Sequence, residues 1–284
     1  MPKASVSLII PVYQSAHFLE DSVGRCVAWL DGLPEDTELL LIDDASKDGS
    51  WELMKNLVEK HRGCKTRLRA LRNLENRGKG FSVRRGMLLA EGDFRIFTDA
   101  DLTYPVEDAA NLLRALQDGA DVAIGSRMHP DSRYIVAPDF LRYIYSRHLF
   151  GRIFNLLVRI LVVPGIYDTQ AGLKGVRKEV APDLFPRGRL QRFSFDVEFL
   201  FLARLLGYRI QQCPLQFYYR KEPSTVHFVR DSFRMLMDML RIRWRSFRGR
   251  YRTPTPPQAI LDDPACGPEF PAAPEGTGER SVEL

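Results

Sequence analysis

The 284 residues, 45% of them hydrophobic, suffice for one large domain or two small ones and are too apolar for a disordered chain. Forty-one Lys and Arg against 36 Asp and Glu leave a formal charge of +5, which points to an anionic partner without choosing among nucleic acid, membrane and phosphorylated small molecules. A transmembrane helix needs about 18 nearly uncharged apolar residues, and the best stretch, Leu149 to Ile166, is broken by Gly151, Arg152, Arg159 and Pro164, so no orthodox span is expected.

In chain order, short β-type runs alternate with helix-length amphipathic segments. Val6 to Pro11, Glu38 to Asp43, Arg67 to Leu71, Phe94 to Thr98 and Asp121 to Ser126 read as strands. Phe18 to Leu30, Trp51 to His61, Ser82 to Ala90 and Val106 to Gln117 read as the helices between and after them. Runs such as Ser7-Leu8-Ile9-Ile10 and Leu39-Leu40-Leu41-Ile42 are apolar throughout, as in strands covered on both faces. The first 127 residues are therefore expected to form a nucleotide-binding α/β unit, a mainly parallel sheet with helices on both faces. From Pro254 onward, prolines scattered among Gly, Ala and Glu without apolar periodicity predict a disordered tail over 253–284.

Several of these strands end in reactive groups: Tyr13 after the first, Asp43-Asp44 after the second, Asp99-Ala100-Asp101 after the fourth and Ser126-Arg127 after the fifth. Parallel strands bring such ends to one edge, where open α/β sheets bind ligands, and this edge suits a metal-bound phosphorylated ligand. Asp99 and Asp101, two apart on an extended segment, project to one side and can share a hard cation such as Mg2+ or Mn2+. Asn76-Arg77-Gly78-Lys79-Gly80 offers a flexible, doubly cationic cradle for phosphates just before a helix. It is not a P-loop, since no Ser or Thr follows Lys79, nor a dinucleotide fingerprint, since Val83 replaces the third glycine. Cys26, Cys64, Cys213 and Cys266 lack paired spacing, and no cleavage signature follows the short apolar run Val6 to Val12, so a reducing, cytoplasmic setting is expected.

The ordered series Ile9-Ile10-Pro11-Val12-Tyr13, Leu41 to Ser50, Asn76 to Gly80, Asp99-Ala100-Asp101 and Gly125-Ser126-Arg127 resembles family 2 glycosyltransferases of the GT-A fold. Asp168 to Lys174 and Phe193 to Glu198 narrow the resemblance to the branch of dolichyl-phosphate β-glucosyltransferases and polyprenyl-phosphate hexose synthases, over about Ser5 to Arg220. The resemblance implies that Pro11, Tyr13 and Asp44, with Asp43 nearby, hold the nucleoside of a nucleotide-sugar donor. It implies that Gly78, Lys79 and Arg127 attend the diphosphate, and that Asp99 and Asp101 hold the metal. Arg127, Lys174 and Arg220 would meet an acceptor phosphate, and Asp101, Arg127, Asp168 and Asp196 are the candidate catalytic residues. Two readings of Asp168, Asp196 and Glu198 stand open: they steer acceptor or sugar hydroxyls, or they brace the fold. Two positions depart from the family pattern: Gln14-Ser15 replaces the usual Asn-Glu, and Thr103 replaces the Gln of mannose synthases.

A polyprenyl acceptor requires access to a bilayer surface. Val229, Phe233, Leu236, Met237, Leu240, Trp244 and Phe247 follow helical spacing, with Arg230, Arg234, Arg241, Arg245 and Arg248 beside them, so a basic amphipathic interface helix is expected over 226–252. A second interface helix is expected over 139–163, where Arg142, Arg147, Arg152 and Arg159 can snorkel. The expected organisation is a glycosyltransferase domain over 1–225, with a nucleotide-sugar half at 1–127 and an acceptor half at 128–225, followed by the interface helix and the tail. The tail carries a net charge of −5, so the rest of the chain carries +10.

The expected activity is inverting transfer of a hexose, foremost glucose from UDP-glucose, to a polyprenyl phosphate by a protein peripheral to the cytoplasmic face of a membrane. The alternatives are a GDP-mannose-dependent synthase, transfer to a soluble hydroxyl acceptor, and a catalytically inactive membrane-binding protein. No nucleic-acid module is recognisable, and the sequence leaves the oligomeric state open.

Overall fold

A computed structural model describes residues 5–135, 158, 162–192, 194–218 and 228–270. Arg220 and all but Val158, Val162 and Val163 of the segment 139–163 lie outside them; those three valines are buried.

The first half alternates as its periodicity requires. Strand β1 (Ser5–Val12) leads to helix α1 (Ala16–Asp31), β2 (Asp36–Asp43) to α2 (Ser50–Lys60), and β3 (Arg67–Asn73) to α3 (Lys79–Leu89). Then follow β4 (Phe94–Phe97), α4 (Ala109–Gln117), β5 (Val122–Ser126) and β6 (Arg133–Ile135). The second half contributes β7 (Lys174–Arg177), a one-turn α5 (Ala181–Leu184), α6 (Phe195–Leu205), β8 (Ile210–Pro214), β9 (Gln216–Tyr218), α7 (Phe228–Phe247), α8 (Pro257–Leu261) and β10 (Cys266–Phe270).

Eight strands form one sheet in the order β10-β3-β2-β1-β4-β7-β5-β8, and β6 pairs with β9 in a separate two-stranded ribbon. β7 and β10 run antiparallel to the neighbours they pair with; the other pairings in the large sheet are parallel. Because side chains alternate across a strand, Leu8, Ile10, Leu39 and Leu41 enter the core under α1, α2 and α4, and Ile9, Leu40 and Ile42 enter the one under α3 and α6. This explains why the first two strands read as apolar without interruption.

The reversed strand β7 has the largest consequence for the site. It starts where β4 and β5 end, with Lys174 opposite Phe97 and Ile124, so the loop Asp168–Leu173 arrives at the same sheet edge as Asp99 and Arg127.

The expectation of a wholly disordered tail is corrected over Thr253 to Phe270. Cys266–Phe270 adds an edge strand to β3, Ile260 is buried, and Arg69 meets Glu269 through Nε–Oε1 at 2.6 Å and Nη2–Oε2 at 3.1 Å. Composition hid this because a short edge strand needs only ladder hydrogen bonds and one buried ion pair, not apolar periodicity. Residues 271–284 lie outside the described residues.

The expected helix over 226–252 is α7, ending at Phe247. Met239 and Ile242 pack into the core beside α6, whereas Met237, Leu240, Trp244 and Phe247 are exposed, Phe247 at 89%. The helix thus has two apolar faces, one serving the fold and one turned outward. Arg248 and Arg250 lie 5.4 and 5.3 Å from the Trp244 ring centre, and Arg241 pairs with Asp238 at 2.9 Å. Among the described residues no helix is long and apolar enough to cross a membrane.

Candidate active site

The C-terminal ends of β1, β2, β4 and β5 hold Tyr13, Asp43-Asp44, Asp99–Asp101 and Arg127 along one edge. Three non-glycine residues there adopt left-handed backbone: Gln14 (φ 53), Ala45 (φ 60) and Leu102 (φ 44). Such conformations cost about 1–3 kcal/mol each and persist where the surroundings enforce them, commonly at ligand sites. The enforcement is visible, because Gln14 N–H donates to Ser46 Oγ (3.0 Å), Ser15 N–H to Ser50 Oγ (3.0 Å) and Ala16 N–H to Asp48 Oδ2 (2.9 Å). Ser46, Asp48 and Ser50 thus lace the first two strand-end loops together, leaving Tyr13 half exposed and Pro11 partly buried.

The adjacent aspartates have different tasks. Asp44 is buried and accepts from Asn73 Nδ2 (2.9 Å), Arg77 N–H (3.0 Å) and Gly78 N–H (2.7 Å), so it organises the 76–78 loop. Asp43 is fully buried, accepts from Ser46 N–H (3.1 Å) and lies 3.2 Å from Arg72 Nε. Burial raises its pKa, an effect that Ser46 and Arg72 only partly oppose. Among the buried side-chain atoms of the described residues that lack a hydrogen-bond partner, Thr98 Oγ1 and Ser126 Oγ sit at the ends of β4 and β5, and Asp43 Oδ2, at the end of β2, has only its ion pair with Arg72. Orphaned polar atoms concentrated on one edge mark a site adapted to a polar ligand.

Gly78 has φ 91, and a Cβ there would come 2.7 Å from Gln191 O, which also accepts from Gly80 N–H at 2.7 Å. Glycine is thus required where the 76–80 loop abuts the 188–192 loop. Lys79 follows, and its ammonium is seated on Asp99 Oδ1. Burial pulls the Lys79 pKa down, but Asp99, Asp196 and Asp101 together hold it above its ordinary value.

Asp99 and Asp101 are partly exposed, and Asp101 Oδ1 accepts from Thr103 N–H at 2.9 Å. A Cβ at residue 172 would overlap Asp99 Oδ2, so Gly172 gives this carboxylate its room. Asp99 is thus paired with the Lys79 ammonium. Two hard oxygen donors fit Mg2+ or Mn2+; among the described residues no cluster of three or more His, Cys, Asp or Glu surrounds such a position.

Arg127, just after β5, is held by Asp168: Nε–Oδ2 is 2.6 Å, Nη2–Oδ1 is 2.9 Å, and Arg127 N–H donates to Oδ2 at 3.0 Å. Asp168 is buried; burial would raise its pKa, but Arg127 brings it down to about 2. The fork fixes the guanidinium plane, so Asp168 acts through Arg127.

Lys174 and Asp196 form a buried pair at 2.6 Å, Lys174 also donates to Ala171 O, and burial lowers the Lys174 pKa. The expectation that Lys174 reaches an acceptor phosphate is corrected, because β7 carries its side chain between the sheet and α6. Glu198 is likewise internal, accepting from Arg189 and Leu190 N–H (both 2.7 Å) and Tyr251 OH (2.6 Å). α7 adjoins this edge through Gln170 Nε2 to Met235 Sδ (3.7 Å) and Ser194 Oγ to Asp238 Oδ2 (2.7 Å).

The sequence is similar to dolichyl-phosphate beta-glucosyltransferases from Dictyostelium discoideum (31% identical, 87% of this chain and 76% of the relative) and Drosophila melanogaster (35%, 72% and 64%). A dolichol-phosphate mannosyltransferase from Pyrococcus furiosus is 32% identical over 62% of this chain and 47% of its own. Solved structures with the same fold include glucosyl-3-phosphoglycerate synthase from Mycobacterium tuberculosis in complex with UDP (TM-score 0.59, 17% identity, 89% of this chain and 82% of that one). Mannosyltransferase PcManGT from Pyrobaculum calidifontis, in complex with GDP-Man and Mn2+, gives a TM-score of 0.58 at 20% identity over 90% of this chain and 67% of that one. The architecture is that of GT-A glycosyltransferases. Residues 7–185 match the model of glycosyl transferase family 2, which takes in both strand-end aspartate motifs and the Arg127–Asp168 fork, and the chain belongs to that family.

Proposed function

We propose that this chain is an inverting hexosyltransferase that moves glucose from UDP-glucose to a polyprenyl phosphate of the dolichyl type, working as a peripheral protein at the cytoplasmic face of a membrane. The observation that carries this reading is the similarity, over 72–87% of the chain, to relatives named as dolichyl-phosphate beta-glucosyltransferases. The charge layout of the sheet edge agrees with it.

Displacement at the anomeric carbon needs support for negative charge on the departing diphosphate. Pro11, Tyr13 and Asp43 line the nucleoside end, and Asp44 holds the Gly78–Lys79 cradle in place. Asp99 and Asp101 would hold Mg2+ or Mn2+, which supplies Lewis-acid neutralisation of diphosphate charge. Lys79 stands beside them with a second cation.

The acceptor, a phosphate monoester with a second pKa of roughly 6, is already an oxyanion and needs no strong general base. Its oxygen forms the new bond to the anomeric carbon as the bond to the UDP oxygen breaks, and the electron pair leaves with UDP. What the enzyme must overcome is repulsion between two anions. Arg127, fixed by Asp168, is the described cation that would do so; Arg220, which lies outside the described residues, is a second candidate on its sequence position alone, and Asp196 acts through Lys174 as a brace.

The outward face of α7 supports bilayer contact, since Met237, Leu240, Trp244 and Phe247 offer an apolar strip flanked by Arg241, Arg248 and Arg250. Purified protein with Mn2+ and dolichyl phosphate in detergent, offered UDP-glucose, UDP-N-acetylglucosamine, UDP-galactose and GDP-mannose separately, tests the donor. UDP-glucose is expected to be used best, and Asp101→Ala to abolish transfer. Preference for GDP-mannose would overturn the donor assignment in favour of a mannose synthase.

A further inference from the structure

We infer that Asp263, in the segment that leaves the interface helix, is a positioning residue for the donor cradle, an inference that rests on the nucleotide-sugar reading above. The Asp263 carboxylate meets the Arg77 guanidinium in parallel, Oδ1 to Nη1 at 3.4 Å and Oδ2 to Nη2 at 3.5 Å. On its other side Arg77 donates its backbone N–H to Asp44 at 3.0 Å. The residue just before Gly78 and Lys79 is thus clamped between β2 and a segment 186 positions later in the chain.

Two further contacts tie the same segment to the same loop: Leu74 N–H donates to Ala265 O at 2.8 Å, and Cys266 pairs with Asn73 in the ladder. The strap is anchored independently of the loop. Arg187 Nη1 donates to the carbonyls of Tyr251 and Arg252, each at 2.6 Å, Ile260 is buried, and Glu269 pairs with Arg69. A strap secured at both ends, carrying one carboxylate against the cradle's arginine, holds that loop in register with Asp44. It removes loop freedom that the donor diphosphate would otherwise have to freeze on binding. The matched family region ends at residue 185, so this support is a contribution from outside it.

The test is titration of the full-length protein with UDP in the presence of Mn2+, alongside thermal unfolding. Asp263→Asn keeps an acceptor for Ala265 N–H, which bonds Asp263 Oδ1 at 2.9 Å, and removes the charge and one of the two acceptors that face Arg77. It is expected to weaken UDP about five- to tenfold and to raise the donor KM with little change in kcat, as for a coupled contact pair. Arg77→Gln should have a similar effect, and the double variant should be no worse than either single one. Asp31→Ala, which removes the acceptor of Thr66 N–H and Oγ1 before the start of β3 and touches neither strap nor loop, should lower the unfolding temperature and leave UDP affinity unchanged. Wild-type affinity in Asp263→Asn, additive losses in the double variant, or equal losses in Asp263→Asn and Asp31→Ala would overturn the inference. A wild-type chain that takes up no UDP would instead overturn the donor reading, and this inference with it.

Discussion

Asp168 carries a distinct burden for one side chain. It is buried, it accepts three hydrogen bonds from Arg127 alone, and its carboxyl titrates at about 2 against an ordinary 3.8. Because the folded-state pKa is depressed, the stability from this ionised pair is fully present above pH 3.8 and is lost only as pH falls towards 2. The acid limb of any activity profile near pH 5 to 6 should therefore come from another group, the acceptor phosphate being the natural one. Asp168→Asn retains the shape and one acceptor but loses the charge. It is expected to cost about 2 kcal/mol of stability, measured by chemical denaturation, as removing a charged hydrogen-bond partner usually does. Transfer should fall roughly 10²-fold, as when a preorganised charge-stabilising group is disturbed. An unchanged rate would show that Arg127 needs no such holder.

Individual elements differed in how plainly the sequence announced them. β1, β2, β4 and β5 were legible because an apolar run followed by Asp, Arg or Tyr has few other readings in a parallel sheet, and their ends do share one edge of the sheet. β7 was not: Lys174-Gly175-Val176-Arg177 has too little apolar character to register as a strand, yet its reversed direction buries Lys174 and brings Asp168 to Arg127. Motif position alone therefore suggested a phosphate ligand where packing makes a brace. The loop-lacing roles of Ser46, Asp48 and Ser50 had only the Asp-Gly-Ser turn signal, which does not reveal the partner loop. Asp108, just before α4, adds a testable feature. It is buried and accepts from Gln216 N–H at 2.5 Å, and burial raises its pKa to about 6. A raised carboxyl is most favourable when protonated, so the fold should lose stability as pH rises from about 4 through 6. Asp108→Asn should unfold at a higher temperature than wild type at pH 8 and at a similar one at pH 4; a difference of the same size at both would refute the titration.

For the whole molecule, the opening charge of +5 conceals an arrangement. Acidic residues are concentrated after Arg252, and two of them, Asp263 and Glu269, are engaged by Arg77 and Arg69, so part of the tail's charge is spent inside the fold. Arg248 and Arg250, just past α7, lie instead against Trp244 of its outward apolar strip. Leu240→Glu combined with Phe247→Glu should reduce sedimentation with anionic vesicles by about tenfold or more, since each change removes apolar area from the interface and adds repulsion. UDP affinity should be untouched; an unchanged vesicle affinity would assign the strip another role. The fold itself does not choose the acceptor, because glucosyl-3-phosphoglycerate synthase shares it. The most direct measurement is a competition in which the purified chain, Mn2+ and UDP-[14C]glucose are given dolichyl phosphate and 3-phosphoglycerate together. The account predicts label in the organic phase as an acid-labile glucosyl lipid, lost with Asp101→Ala; label confined to a soluble product in the aqueous phase would contradict it.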